Sequence, residues 1–171
     1  MIPTYLVVPL ILILVVLWAV QVLKGLKEQR QAFDRVWKNR QTMLKRIQAH
    51  LPPILDGVRY HMPEQGPLAD QIRDLSAQLM SLELTAQRLS LEGDLLQVLA
   101  RLEDQLKKEQ KLLSISAFAN QYLRYRKMRE DYLEAREKYQ EAARAYNRAL
   151  QEKAAAPLAR LTGIKPVPLE R

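Results

Sequence analysis

There is no cysteine in the sequence, and histidine occurs only twice, at His50 and His61. The first absence excludes a thiol nucleophile, a disulfide framework and a cysteine-built metal site. The second confines any imidazole base to two positions three helical turns apart with Pro52 and Pro53 between them, a spacing poorly suited to sharing a metal or serving a serine nucleophile. Glycine is scarce as well: five scattered residues include no Gly-rich phosphate loop. The paired carboxylates Glu103-Asp104 and Glu130-Asp131 stand among basic residues at helical spacing, which reads as salt-bridged surface. No catalytic residue, metal site or cofactor is therefore expected, and an enzyme is not.

Charge is missing altogether from one stretch. Ile2 to Leu23, IPTYLVVPLILILVVLWAVQVL, has no ionisable side chain but Tyr5. About 20 apolar helical residues cross a hydrocarbon core of roughly 30 Å, so residues 1–23 are read as a transmembrane anchor. A cleaved signal peptide would show a basic leader, a shorter apolar centre and a small-residue cleavage site, and Leu17-Trp18-Ala19 supplies none of these well. Pro3 and Pro9 fall in the first turns, where a missing N–H is tolerated, and Tyr5 and Trp18 suit the two interfacial zones. Lys24, Lys27, Arg30, Arg35, Lys38 and Arg40 follow the run against Glu28 and Asp34. This bias predicts a single-pass protein of an inner membrane, with the N-terminus outside and the body in the cytoplasm. A cytoplasmic body agrees with the lack of cysteine, although a periplasmic domain without disulfides agrees equally.

Beyond the anchor, residues 24–156 are long enough for one domain with its own core. Net charge alternates along it. Residues 24–62 hold nine basic and three acidic side chains, residues 63–113 six and nine, and residues 114–171 twelve and seven. Two basic parts flanking an acidic one suit an internally complementary bundle, and a basic segment beside a membrane also suits anionic lipid, with Lys24, Lys27 and Arg30 nearest to it.

Hydrophobic periodicity predicts four helices, at about 24–60, 68–90, 94–113 and 117–153. The first has the stripe Leu26, Phe33, Trp37, Leu44, Ile47, Leu51, Ile54 and Val58, interrupted by Arg40, with a kink or short break expected between Ala49 and Ile54 at the proline pair. His61 to Pro67 reads as a turn. Leu68, Ile72, Leu75, Leu79, Leu82, Ala86 and Leu89 follow an a/d heptad pattern in the second. A reversal is expected at Ser90–Asp94, since Gly93 is a poor helix-interior residue and Asp94 a good cap. The third carries Leu95, Leu99, Leu102, Leu106 and Leu113, and Ser114 and Ser116 offer cap oxygens to the next helix. In the fourth, Tyr125, Tyr132, Tyr139 and Tyr146 recur every seven residues, a seam that packs while each hydroxyl reaches for a partner. An aromatic ligand cage would require convergence from several elements. Residues 157–171 show no period and are read as an irregular tail.

The expected fold is thus all-α: a transmembrane helix followed by an antiparallel four-helix bundle of two long and two shorter helices. Short connections make the first and last soluble helices antiparallel neighbours. Equal steps from their distal ends pair Leu51 with Tyr125, Leu44 with Tyr132 and Trp37 with Tyr139, with Trp37 over Tyr139 the chief apolar contact near the membrane. Phe33 and Tyr146 belong to the same packing seam.

Several segments resemble the LemA family. Trp37, Leu44, Arg46, then Pro52 with Ile54, Leu55, Val58 and Arg59, are similar to its W…L…RR-x-DLIPNLV-x-x-VK segment. Ala135-Arg136, Tyr139, Ala142, Tyr146-Asn147, Ala159 and Gly163-Ile164 resemble its aR-x-x-YN-x-a-V-x-x-YN…A-x-x-x-GF pattern, and Phe118 lies eighteen residues before Arg136 as in the family. Ile47, Ala49, His50 and Gln140 depart from it, and its YPDLKA stretch has no counterpart near Glu109 to Ser114. The resemblance implies a membrane-anchored antiparallel four-helix domain, bacterial in the usual case, and its motifs are packing motifs.

Two functional classes follow. One is a membrane-tethered scaffold presenting a bundle surface to protein partners whose identity the sequence does not disclose; the other is a lipid-surface module whose basic juxtamembrane helix reads anionic lipids. Arg124-Tyr125-Arg126-Lys127-Met128-Arg129 could contact phosphates with a stacking tyrosine. Its tyrosine already belongs to the seam and its charges have acidic neighbours, so nucleic acid is not expected as a partner.

Overall fold

A computed structural model describes residues 4–152 and 155–170, with side chains from residue 9 onward except at 110 and 111. Pro3, the Tyr5 side chain and Lys153, each used above, lie outside the described residues. The chain is all-helical, and no strand occurs among the described residues. In order come α1 (Thr4–His61), a 3-10 turn (Pro63–Gln65), α2 (Gly66–Met80), α3 (Ala86–Lys108), α4 (Gln110–Leu113), α5 (Ser116–Gln151) and α6 (Ala156–Thr162).

The apolar run and the first soluble helix are one element. α1 is 58 residues long, about 87 Å at 1.5 Å per residue. Its N-terminal part is long and apolar enough to cross a membrane, and Leu10 to Trp18 and Val20 all point away from the rest of the chain. Helix geometry persists through Pro52 and Pro53, so the break expected there is absent. The prolines remove the donors for the carbonyls of Gln48 and Ala49. Continuity is held instead by packing, because Leu51, Ile54, Leu55 and Val58 are all buried, and by the Gln48 side chain, whose Nε2 donates to the Ser76 carbonyl at 3.1 Å.

α1 and α5 run antiparallel, since contacts that descend α1 ascend α5. Gly57 meets Phe118, Arg40 meets Tyr132, and Trp37 and Phe33 meet Tyr139 and Tyr146. Two apolar clusters divide the length. The distal one takes Leu44 to Val58 of α1, Met62 just beyond it, the buried faces of α2 and α3, Leu112 of α4, and Phe118 to Tyr132 of α5. The proximal one, nearer the exposed apolar run, joins Leu26 and Phe33 to Tyr139, Ala143, Tyr146 and Leu150, and is completed by Leu89, Ala155, Ala159 and Val167. Trp37 is only partly buried. Phe33, 1 % exposed and with ring centroids 5.4 Å from Tyr139 and 6.1 Å from Tyr146, is the proximal centre that the sequence reading gave to Trp37.

The largest correction concerns the second and third helices. The reversal lies at Ser81–Thr85, not at Ser90–Asp94, and Gly93 is inside α3. Thr85 is an extended N-cap whose hydroxyl accepts from the Arg88 N–H at 3.2 Å. One helical turn on, Arg88 Nε reaches Glu92 Oε1 at 3.1 Å, an i,i+4 pair that ties together the residues where a break was expected. The heptad spacing survives the reversal because Leu82 and Leu84 stay partly buried in the turn. α3 ends at Lys108, with α4 as a separate short turn of helix, and α5 begins from Ile115 without a side-chain cap.

The tail is also more ordered than its composition suggests. α6 ends at Gly163, whose φ of 69° is left-handed, with Gly163 N–H bonded to the Arg160 carbonyl and Ile164 N–H to the Ala159 carbonyl. This is the double bond pattern of a Schellman cap. It turns residues 164–170 back along α5.

Glycine substitutions test this layout. A Cβ at Gly57 would come within 2.7 Å of the Phe118 ring, whereas one at Gly93 meets nothing within 4 Å. Gly93→Ala should stabilise the protein by about 0.5–1 kcal/mol through helix propensity, and Gly57→Ala should destabilise it by about 1–2 kcal/mol as Phe118 is displaced. Thermal melts of the full-length protein in detergent, followed by circular dichroism, check both signs.

Candidate functional site

Arg40 sits on the core face of α1, where its neighbours at helical spacing, Phe33, Leu44 and Ile47, are apolar and buried. Its own side chain is 1 % exposed. A charge cannot be left there alone, because desolvation costs several kcal/mol unless partners are built in. Glu92 of α3, equally buried, receives Arg40 Nη2 at 2.6 Å and Nε at 3.1 Å on the same oxygen, Oε2. Tyr132 of α5 donates its hydroxyl to that oxygen at 2.8 Å. The other oxygen of Glu92 takes Arg88, whose guanidinium also binds the Leu82 carbonyl in the α2–α3 turn. Arg40 Nη2 pairs in addition with Glu170 near the chain's end, and the guanidinium carbon lies 4.5 Å from the centroid of the Tyr139 ring.

Glu170 brings the tail into the same cluster. Its Oε2 accepts from Arg136 Nε at 2.6 Å and Gln140 Nε2 at 2.7 Å. Upstream, the Asn147 amide holds both backbone groups of Val167, each at 2.9 Å, and the Tyr139 hydroxyl donates to the Pro168 carbonyl at 2.8 Å. The tail is thus bound as a peptide segment, by its backbone at two places and by its carboxylate at a third.

Electrostatics follow from this geometry. Burial opposes the charge on Arg40, but Tyr132, Glu92 and Glu170 outweigh it and raise its pKa above the ordinary arginine value. Burial likewise works against the Glu170 carboxylate; Arg40, Gln140 and Arg136 prevail and hold it below the usual carboxyl range. Burial and then Glu92 push the Tyr132 phenol up, with Arg40 opposing. Tyr139 is pushed up to about 12, chiefly by burial. Both phenols are therefore neutral hydrogen-bonding groups near neutral pH. The cluster is a clamp between α1, α3, α5 and the tail, in which Arg40 Nη1 is buried without a hydrogen-bond partner among the described residues.

Of the residues singled out in the sequence, Phe33, Leu44, Leu51, Tyr125, Tyr132, Tyr139 and Tyr146 are buried, and the Trp37 ring centroid lies 5.5 Å from that of Tyr139. Lys24 and Lys27 are exposed, while Arg30 pairs with Asp34 at 3.1 Å and lies over Phe33 and Tyr146. Lys27 and Arg30 line a cleft of about 700 Å³ between α1 and residues 163–168. In the basic run of α5, Tyr125 is buried and Arg129 pairs with Glu103 at 3.0 Å, so the tyrosine offers no free face for stacking. His50 Nδ1 lies 3.0 Å from the Arg46 carbonyl, and His61 packs edge-on against Tyr60. Glu92, Arg88 and Glu170 were not singled out from sequence, and Asn147 entered only through a family resemblance, without its role in holding Val167. The available signal was Arg40 itself, since a charge interrupting an apolar stripe demands a buried carboxylate elsewhere.

Replacing Arg40 by Met should destabilise the protein by about 3–5 kcal/mol, because the cation shared by Glu92 and Glu170 is lost and each buried carboxylate keeps only one, Arg88 and Arg136 respectively; chemical denaturation of the full-length protein measures it. Tail docking should depend on pH in one direction. The folded pKa of Glu170 lies below the ordinary value of 4.5, so its contribution is complete above that value and is lost as pH falls through the lower, folded one. Protection of Val167 N–H from hydrogen exchange, relative to the intrinsic rate at each pH, should fall over that acid range, and Glu170→Gln should remove this component of the pH dependence.

No family model matches the chain, and no match is found among curated proteins.

Proposed function

We propose that the chain is a single-pass, membrane-anchored helical scaffold without catalytic activity, LemA-like in build, whose α1, α2, α3 and α5 form an antiparallel four-helix bundle. The bundle presents its surface to protein partners at a bacterial inner membrane, on the cytoplasmic side. The observation that carries this reading is the continuity of α1. Its exposed apolar part and its packed part are one uninterrupted helix, so the bundle is held at a set distance and angle from the membrane and not swung on a linker. The buried clamp supports it too, because its charged groups are paired with one another. Large apolar side chains stand exposed on the body, among them Leu123 on α5 and Tyr60 at the distal end of α1, and offer contact points for a partner.

A second reading, a lipid-surface module, is favoured by the cleft at Lys27 and Arg30. The two readings share the anchor and differ in what is recognised.

A photo-crosslinking residue at position 123 in growing cells should yield a discrete adduct with another protein, and the same residue at the exposed Asp104 should not. A cytoplasm-dependent reporter fused after Arg171 should be active and a periplasm-dependent one inactive. Lipid-only adducts from position 123 would refute the scaffold, and the reverse reporter pattern would refute the orientation.

A further inference from the structure

Just beyond the exposed apolar run, α1 forms one wall of the 700 Å³ cleft, and residues 163–168 form the other. We propose that this cleft binds one anionic phospholipid, its phosphate held between Lys27 and Lys165 and its acyl chains leaving along Leu23 into the bilayer. The inference rests on reading the N-terminal part of α1 as a membrane span, and it deepens the lipid reading by making the C-terminal segment half of the site.

Position comes first. Leu23 and Leu26 are the last residues of the apolar run and the first turn after it, so the cleft opens at the level where head groups lie. α6, whose Ala159 lies in the same buried cluster as Leu26, carries Leu161 exposed at 84 % next to Arg160, the pairing of an apolar tip and a cation that suits an interface. Charge is the second argument. Three cations line the cleft, Lys27, Arg30 and Lys165, and no carboxylate does. Arg30 is already engaged by Asp34 and two rings, whereas neither Lys27 nor Lys165 has a salt-bridge partner among the described residues. Two ammonium groups on opposite walls suit the two non-bridging oxygens of a single phosphodiester, one donor to each. Shape is the third. Leu26 and Val167, both buried, and Leu84 give the cleft apolar lining, which an inorganic anion leaves unused and a glycerol backbone with its chain roots covers. The volume is within the roughly 300–1,000 Å³ of ligand sites.

The wall bearing Lys165 exists only because the tail is docked. The left-handed Gly163 turns the chain, and Asn147 holds Val167 two residues past the lysine. Lys165 thereby has a defined place opposite Lys27, which distinguishes this site from the diffuse attraction of a basic segment to a charged surface.

The test uses full-length protein in nanodiscs of phosphatidylcholine with a minority of phosphatidylglycerol, followed by native mass spectrometry of the released protein. One retained phosphatidylglycerol per chain is expected. Lys27→Gln and Lys165→Gln should each lower its retention about fivefold, the equivalent of about 1 kcal/mol per lysine at a membrane surface. Lys24→Gln, the same charge change outside the cleft, should lower it much less. Equal losses from all three variants, or no retained lipid in the wild type, would overturn the cleft. Displacement of the lipid by excess inorganic phosphate would show the site to be one for free anions and would overturn it as well. Alkaline carbonate extraction separates the two readings: a chain that stays in the membrane yet retains no lipid refutes the cleft alone, and a chain released into solution refutes the anchor and the cleft together.

Discussion

A single guanidinium buried in an apolar stripe sets the constraint on which the rest of this structure depends. Arg40 occupies a position that a helix pattern reserves for leucine or isoleucine, and once there its charge has to be met by groups that arrive with it. Glu92 comes from α3, Tyr132 and the ring of Tyr139 from α5, and Glu170 from the end of the chain. Four parts of the sequence are thereby brought to one point. A slip of α5 along α1 by one helical turn would separate Arg40 from both tyrosines, and a slip of α3 would separate the buried Arg40 from Glu92. Apolar packing tolerates such slips far better than a buried ion pair does, because leucine against leucine has little directional preference. The clamp therefore sets the register that the apolar clusters fill.

The clamp also divides the molecule. Distally, α2, α3, α4 and α5 all contribute to the apolar core with α1; proximally, α2 has ended, and the space it would occupy beside α1 and α5 is taken by the α2–α3 turn and the tail. This explains why the C-terminal segment, with three of its last nine residues Gly or Pro, is held so closely. It closes the proximal core by burying Val167 and supplies the second carboxylate that Arg40 requires. The same segment forms one wall of the cleft at Lys27, so the order of the tail and the shape of the surface nearest the apolar run have one physical cause.

Much of the architecture was legible in the sequence, for reasons of periodicity and length. An uncharged run of 22 residues declares a helix able to cross a membrane, because few other states satisfy its backbone and bury its side chains. The stripes at Leu44 to Val58 and the tyrosines every seventh residue declare long helices with one buried face, since side chains at that spacing share a side. The break between α2 and α3 was not legible. Gly93 lowers helix propensity by about 1 kcal/mol, a local penalty that the Arg88–Glu92 pair and the buried leucines on either side of it override, while the actual reversal at Ser81–Thr85 interrupts no apolar spacing. The proline pair in α1 was overridden in the same way.

Local pattern determined which segments are helical and which faces are apolar, because propensity and periodicity act within a few turns. Only the tertiary structure decided where the carboxylates go. Nothing near Arg40 in the chain names Glu92, 52 residues away, or Glu170 at the far end, and a carboxylate in a tail without period looks like any solvated one. Their roles come from desolvation, which exists only once α1, α3 and α5 have packed and excluded water from a charge that must then be neutralised.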